Sequence, residues 1–278
     1  MINEPQLKEG KPIFRLGLNY KVTDYTYLRA SWGQGYRFPT LAEQFITTDV
    51  GFQIGPNYNV RSETGWNREI GIKQGFRVSN WEGFFDAAAF WSEYQDMMEF
   101  VFGYNELVNG LAFSAQNVGN TVIKGLDLSV MGKGEIGNAP TTLIAGYTYI
   151  DPQFAEFTRE DSLRSSVDYN ILKYRYKSTW KFDVESRLGP MSLALAGFYN
   201  SNIEAIDAIF ENFIPGLADY RAANKSGSTV FDVRLAYHFG KKTKISFLAK
   251  NILNTEYTLR PALLEAPRNF TLKFEKTF

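Results

Sequence analysis

The chain has 278 residues, with 30 Lys and Arg against 30 Asp and Glu, a single histidine and no cysteine. The even charge balance gives no footing for a nucleic-acid partner, and the missing thiols exclude a disulfide framework and a thiolate metal site. No run of 18 apolar residues occurs, and the opening MINEPQLKEGKPIF lacks the basic-then-apolar order of a secretory signal.

Taken in chain order, period two is everywhere and period 3.6 is scarce. PIFRLGLNYKV sets Phe14, Leu16, Leu18 and Tyr20 on one face and Arg15, Asn19 and Lys21 on the other. Such alternation marks a strand with one apolar and one polar face. It recurs over 12–22, 25–36, 63–76, 81–98, 119–133, 140–151, 171–186, 190–202, 228–239, 243–253 and 267–278. In the seventh segment Tyr174, Tyr176, Trp180, Phe182 and Val184 alternate with Lys173, Arg175, Lys177, Lys181, Asp183 and Glu185. In the ninth, Phe231, Val233, Leu235, Tyr237 and Phe239 alternate with Asp232, Arg234 and His238. Most segments exceed the roughly five or six residues of a common soluble strand and suit a tilted membrane-crossing one.

The connections alternate in length. Those near 23, 77–80, 132–140, 188–190 and 240–242 are short, and 37–62, 99–118, 152–170, 203–227 and 254–266 are longer. This predicts an antiparallel up-and-down meander with all the long loops at one end, the form of an outer-membrane barrel. A soluble barrel also alternates, but turns its apolar face inward. Here the apolar face carries more large aromatics than a small interior holds. The polar face carries mid-strand charges such as Lys181, Asp183 and Arg234, as a wet lumen would. Tyr25, Tyr27, Trp32, Trp81, Tyr147, Tyr149 and Tyr199 fall near strand ends, where an interfacial girdle belongs.

Four motifs carry a family resemblance. LRASWGQGYRFPTLAEQF (28–45) resembles the segment in which TonB-dependent outer-membrane receptors leave a strand for a long external loop. SETGWNREIGIKQG (62–75) is similar to that family's following strand, with Ser62 where proline is common. NVGNTVIKGLDLSV (117–130) is similar to a third segment, with Asp127 in place of glutamate. AKNILNTEYTL with APRNFTLKFEKTF is similar to the closing pattern and is the most specific. The resemblance implies an all-β fold: an antiparallel up-and-down transmembrane barrel portion of about eleven strands, the last half of a barrel of about 22. An odd strand count sets first and last strands parallel, so this portion is expected not to close on itself. Residues 1–278 are then expected to be the C-terminal part of the barrel, with no plug domain, TonB-box or signal peptide.

By the same resemblance the intact protein would sit in the outer membrane of a Gram-negative bacterium, among its lipids. It would import a scarce solute (a siderophore, corrinoid, glycan or peptide) with energy relayed by TonB through the missing N-terminal part. It would use no cofactor. Phe270, Leu272, Phe274 and the terminal Phe278 look like the signal read by the barrel-assembly machinery. Lys276 departs from that pattern, falling where a hydrophobic residue is usual. A passive porin or adhesin barrel, without energy coupling, is the alternative.

The residues themselves suggest no catalytic or metal site. His238 has no ligand partners by spacing and is expected in the lumen near a short turn. GQG at 33–35 lacks the rest of a phosphate loop. The long loops are unusually apolar, which marks either recognition or loop-on-loop packing. Phe52, Tyr58, Phe102, Tyr104, Phe113, Phe210 and Phe213 are the candidates for ligand contact. Ile203, Ile206, Ile209, Phe210 and Phe213 also carry the spacing of a short loop helix.

Overall fold

The computed structural model describes residues 9–240, 242–261 and 263–277. In chain order they form β1 (Arg15–Lys21), β2 (Thr26–Arg37), α1 (Leu41–Phe45), β3 (Thr48–Asp49), β4 (Gln53–Ile54), β5 (Glu63–Val78), β6 (Trp81–Gln95), β7 (Met98–Asn105) and β8 (Gly110–Asn117). Next come β9 (Thr121–Ile136), β10 (Ala139–Phe154), α2 (Arg159–Arg164), β11 (Ser178–Leu188), β12 (Met191–Asn200), α3 (Ala208–Phe213) and α4 (Leu217–Ala223). The chain ends with β13 (Ser228–Phe239), β14 (Thr243–Lys250), β15 (Thr258–Arg260), β16 (Leu263–Leu264) and β17 (Asn269–Lys276).

Eleven strands make one wall, in the order β1-β2-β5-β6-β9-β10-β11-β12-β13-β14-β17. Every neighbouring pair is antiparallel. The wall is the expected meander, with β1 and β17 as its two edges and no ladder joining them. The tight turns lie together at one end. Gly137 and Gly189 take φ of 63° and 57° in the two-residue turns there, a left-handed backbone that such hairpins favour and glycine adopts without cost, and Gly240 takes 67° at the start of the longer turn between Phe239 and Thr243.

Register fixes the two faces. Leu18↔Ala30, Ala30↔Ile70, Ile70↔Ala89, Ala89↔Leu126, Leu126↔Tyr149, Leu195↔Val233 and Phe247↔Leu272 run across the outer face. Leu16, Leu18, Ile70, Leu126, Leu235 and Leu272 stand exposed on it, a surface that suits hydrocarbon and not water. The inner face holds the charges. Arg29 bridges Glu69 at 2.9 Å and Asp86 at 2.7 Å, and Arg234 meets Asp183 at 2.8 Å. His238 lies inside beside the turn, with Nε2 3.1 Å from Ser192 Oγ. Tyr27 departs from the girdle expectation: it pairs with Lys21 and Lys73 and so faces the lumen.

The closing strand aligns its apolar side outward. Phe270, Leu272 and Phe274 sit opposite Ala249, Phe247 and Ile245, and Lys276 opposite Thr243 on the same side. Phe278 lies outside the described residues.

Close strand approach relies on one glycine of a facing pair. Gly83 pairs with Gly132, and a Cβ on Gly83 would run into the Met131 carbonyl oxygen and come within 2.7 Å of Gly132 Cα. A Cβ on Gly132 would meet the Phe76 and Trp81 rings at 3.5 Å and the Glu82 carbonyl oxygen at 3.6 Å, all ordinary contacts. Gly83→Ala should therefore cost about 1–3 kcal/mol through overpacking, and Gly132→Ala much less. Heat-modifiable gel mobility of the folded barrel measures the contrast; equal losses for the two would contradict the register.

Candidate functional site

The five long connections meet at the end opposite the tight turns. The first and second join where β4 pairs with β8, Ile54 opposite Phe113. β7 and β8 form a hairpin from Met98↔Asn117 to Asn105↔Gly110, closed by Asn109 at φ 51°. Ser165 bridges Asp207, and Tyr176 bridges Ile203. The Tyr176 hydroxyl donates to the Leu259 carbonyl at 2.9 Å, which brings in the last loop. α1 and α2 begin at Thr40 and Thr158, each in a reciprocal capping box with the acid three residues on.

Four of the seven aromatic candidates form one cluster. Phe113 stacks on Phe210 at 5.3 Å and lies 5.1 Å from Phe102 and 5.8 Å from Phe52. Phe52 closes the ring against Phe210, edge-on at 5.5 Å. These offset and edge-to-face geometries are the ones ring quadrupoles favour. The other three stand apart. Tyr58 packs on Phe45 at 5.5 Å, Tyr104 donates its hydroxyl to Asn109 at 2.7 Å, and Phe213 points outward. The loop helix expected from the spacing of Ile203 to Phe213 forms only in its second half, as α3, which carries Phe210 into the cluster and leaves Phe213 one turn away, while Ile203 and Ile206 precede it.

Beneath the loops lies a buried charged knot that sequence reading missed. Lys173 Nζ is 2.6 Å from Asp207 Oδ1 and 4.0 Å from Glu99 Oε2, with both residues of the close pair almost fully covered. The Tyr174 hydroxyl donates to the other Asp207 oxygen and accepts from the Asp207 backbone N–H at 3.1 Å. Asp207 also stands at the N-cap of α3, yet its carboxylate makes no capping bond there. Tyr174 takes a left-handed φ of 60° to fit, and its N–H donates to the Ala205 carbonyl at 2.8 Å. The predicted strand over 171–186 therefore starts only at Ser178. Residues 171–177 fold in as a loop, with Leu172 fully buried against Met97 and Phe154.

The knot holds two carboxylates for one ammonium. Burial pushes the Glu99 carboxyl above the usual carboxylate range, against the pull of Lys173 and Arg175. Burial, then the charge of Asp207, also raises the Tyr174 hydroxyl, which stays a donor. Glu99 thus binds its proton more tightly folded than unfolded. Its contribution to stability is complete below the ordinary carboxylate range and is lost as pH rises through the raised value. Glu99→Gln should remove that loss. Amide exchange in the loops between about pH 4 and 8 should flatten, with protection at neutral pH equal to wild type or better. Weaker protection at neutral pH with an unchanged pH slope would show that the ionised form is the stabilising one.

Beside the knot lies a cleft of about 470 Å³ between the third, fourth and fifth loops. Tyr169, Tyr176, Tyr220 and Lys225 are among its lining groups. Its floor is held by Arg221, which reaches Glu211 at 2.6 Å and the Ile203 and Glu204 carbonyls at 2.9 and 3.0 Å. Tyr169 donates to Glu204 at 2.7 Å, and burial together with that bond pushes its hydroxyl up to about 12. The cleft offers aromatic faces, hydroxyls and amides for recognition. No cluster of metal-ligating side chains occurs among the described residues.

An open meander, a lipid-compatible outside, a charged inside and interlocked loops at one end have a counterpart among known families. Residues 4–252 match the model described as TonB dependent receptor-like, beta-barrel. The chain belongs to this family. TonB-dependent receptors are outer-membrane barrels of Gram-negative bacteria, and solved structures share the fold. The copper transporter OprC superposes with a TM-score of 0.66 at 17% identity, over 95% of this chain and 39% of that one. The FrpB iron transporter from Neisseria meningitidis gives 0.64 at 17% identity, over 96% and 39%. The Serratia marcescens hemophore receptor HasR, solved with its hemophore HasA and heme, gives 0.63 at 12% identity, over 96% and 39%. In sequence, 123 residues are 27% identical to the probable hemoglobin and hemoglobin-haptoglobin-binding protein 1 of Haemophilus influenzae. That match covers 42% of this chain and 11% of the relative. The chain thus spans well under half the length of each.

Proposed function

We propose that residues 1–278 form the C-terminal part of the barrel of an outer-membrane importer that captures a scarce solute at its loop end. The observation that carries this reading is the polarity of the whole wall. Its outside carries an apolar band from Leu16 on β1 to Phe274 on β17 and its inside is charged, while the loops interlock at one end around a polar, tyrosine-rich cleft. Capture there and passage through the lumen need positioned hydrogen bonds and aromatic faces, and no bond chemistry. The ligand candidates are a siderophore, corrinoid, glycan or peptide. The Haemophilus relative's name adds haem-bearing proteins to the panel. TonB would deliver the energy for release into the periplasm, and the apolar closing strand with Phe278 would direct assembly.

The test is uptake of each labelled solute class by cells with and without the receptor gene. Receptor-dependent uptake that stops when the proton-motive force is collapsed is expected for one class. Uptake that persists without that force would favour a passive porin, and surface binding of host material with no uptake would favour an adhesin.

A further inference from the structure

The outer face breaks its own rule in one place. Within the paired strands of the described residues, the charged side chains on this face are Arg68, Glu93, Lys124, Asp151 and Lys276. All but Lys276 fall on four adjacent strands, β5, β6, β9 and β10, toward the loop end. Three of them form a row across the sheet with two tryptophans, and Glu93 lies one step nearer the loops: Trp32 faces Arg68, Arg68 faces Trp91, Trp91 faces Lys124 and Lys124 faces Asp151. The apolar band starts immediately below it, with Ile70 and Ile72 on β5 and Leu126 and Leu128 on β9. The row therefore sits where hydrocarbon gives way to headgroups in the outer leaflet.

The two cations are not neutralised by protein. Arg68 Cζ lies 4.0 Å over the Trp66 ring, Lys124 Nζ lies 4.4 Å over Trp91, and the two rings are 6.4 Å apart. Among the described residues neither makes an ion pair, although Asp151 stands directly across from Lys124. Simple snorkelling would send both heads toward water, whereas here they flatten onto rings at membrane level. Between them runs a groove of about 540 Å³ floored by Ile70, Ala89, Trp91 and Leu126, with Tyr149 and Asp151 on its β10 side.

We propose that this groove is a binding site for an anionic lipid of the outer leaflet. The lipid phosphate is held between Arg68 and Lys124, and an acyl chain lies down the apolar floor. The pairing supplies what each side lacks: two cations without counter-ions, and an anion anchored at that depth by its own chains. Asp151 keeps the phosphate on the β6 side of Lys124 by repulsion.

The experiment is native mass spectrometry of the detergent-solubilised receptor, purified whole from outer membranes. The probes are dioleoyl phosphatidic acid and dioleoylglycerol, which differ only in the phosphate. Wild type should retain the phosphatidic acid at least about tenfold more than the diacylglycerol, and free inorganic phosphate should not compete. Arg68→Gln with Lys124→Gln should abolish the preference, Arg68→Lys should keep most of it, and Lys276→Gln should leave it intact. Equal retention of the two lipids by wild type would overturn the proposal and needs no variant to fold. An unchanged preference in the double variant would overturn it as well. Full competition by inorganic phosphate would show an anion site that takes no lipid, and would reject the outer-leaflet assignment.

Discussion

Lys173→Met should loosen the loop end by about 3–5 kcal/mol while leaving the wall intact, because it strands the Asp207 carboxylate, and beside it Glu99, in a buried site. The two halves of the molecule rest on different interactions. The wall is held by eleven ladder-paired strands, and none of its ladders includes Lys173. The loops are held by side chains, and the knot ties three of them: the β7–β8 hairpin through Glu99, the 171–177 segment through Lys173 and Tyr174, and the start of α3 through Asp207. Limited proteolysis of the assembled barrel should show new cuts within 155–177 and 203–225, with the barrel still shifting on heating. Asp207→Asn should behave alike, since Asn offers no charge to Lys173. Removing all three charges, Lys173→Met with Asp207→Leu and Glu99→Gln, should recover much of the loss, as taking out a buried charged group whole costs less than leaving part of it unpaired. Unchanged proteolysis in both single variants would mean that water reaches the pair and screens it.

The contrast between wall and knot explains what the sequence makes legible. A wall strand shows its face in its own residues. Phe231, Val233 and Leu235 alternate with Asp232 and Arg234, and the structure puts the first set outside and the second inside. The segment 171–177 alternates just as cleanly, Lys173, Arg175 and Lys177 against Tyr174 and Tyr176, but it is a buried loop. What decides it is the pair of acids at 99 and 207, which no local pattern ties to Lys173. The left-handed backbone at Tyr174 is equally silent, since tyrosine carries none of the signal a glycine would. The loops were readable as apolar, and α3 as a short helix. Which of their rings meet depends on three loops folding against one another, beyond the reach of periodicity. One signal for the knot was available: a lysine beside the apolar pair Ile171 and Leu172 invites a search for a buried partner.

The seven loop aromatics should divide into packing and recognition, and the division is measurable. Phe113 is 8% exposed at the centre of its cluster, whereas Phe213 and Tyr104 are 66% and 64% exposed. Phe113→Ala opens a cavity among Phe52, Phe102 and Phe210 and should cost about 3–5 kcal/mol of loop stability. Loss of ligand binding would follow indirectly, and Phe113→Leu, which conserves most of the volume, should restore both together. Phe213→Ala removes surface that nothing in the loops covers, and Tyr104→Ala gives up only an exposed hydrogen bond to Asn109, so amide exchange should not change for the first and should rise only at the tip of the β7–β8 hairpin for the second. If these rings touch ligand, each should weaken binding by about tenfold, or about 1.4 kcal/mol. The measurement pairs hydrogen exchange of the loop amides with titration of whichever solute the uptake panel selects. Should Phe213→Ala and Tyr104→Ala bind as wild type while Phe113→Leu binds poorly with its loops intact, the packed cluster itself would be the recognition surface, opened by the ligand. The exposed rings would then be bystanders. That outcome would also move the binding site from the tyrosine cleft to the β4–β8 side of the mouth, since Phe113 pairs with Ile54 there and lines no part of the cleft.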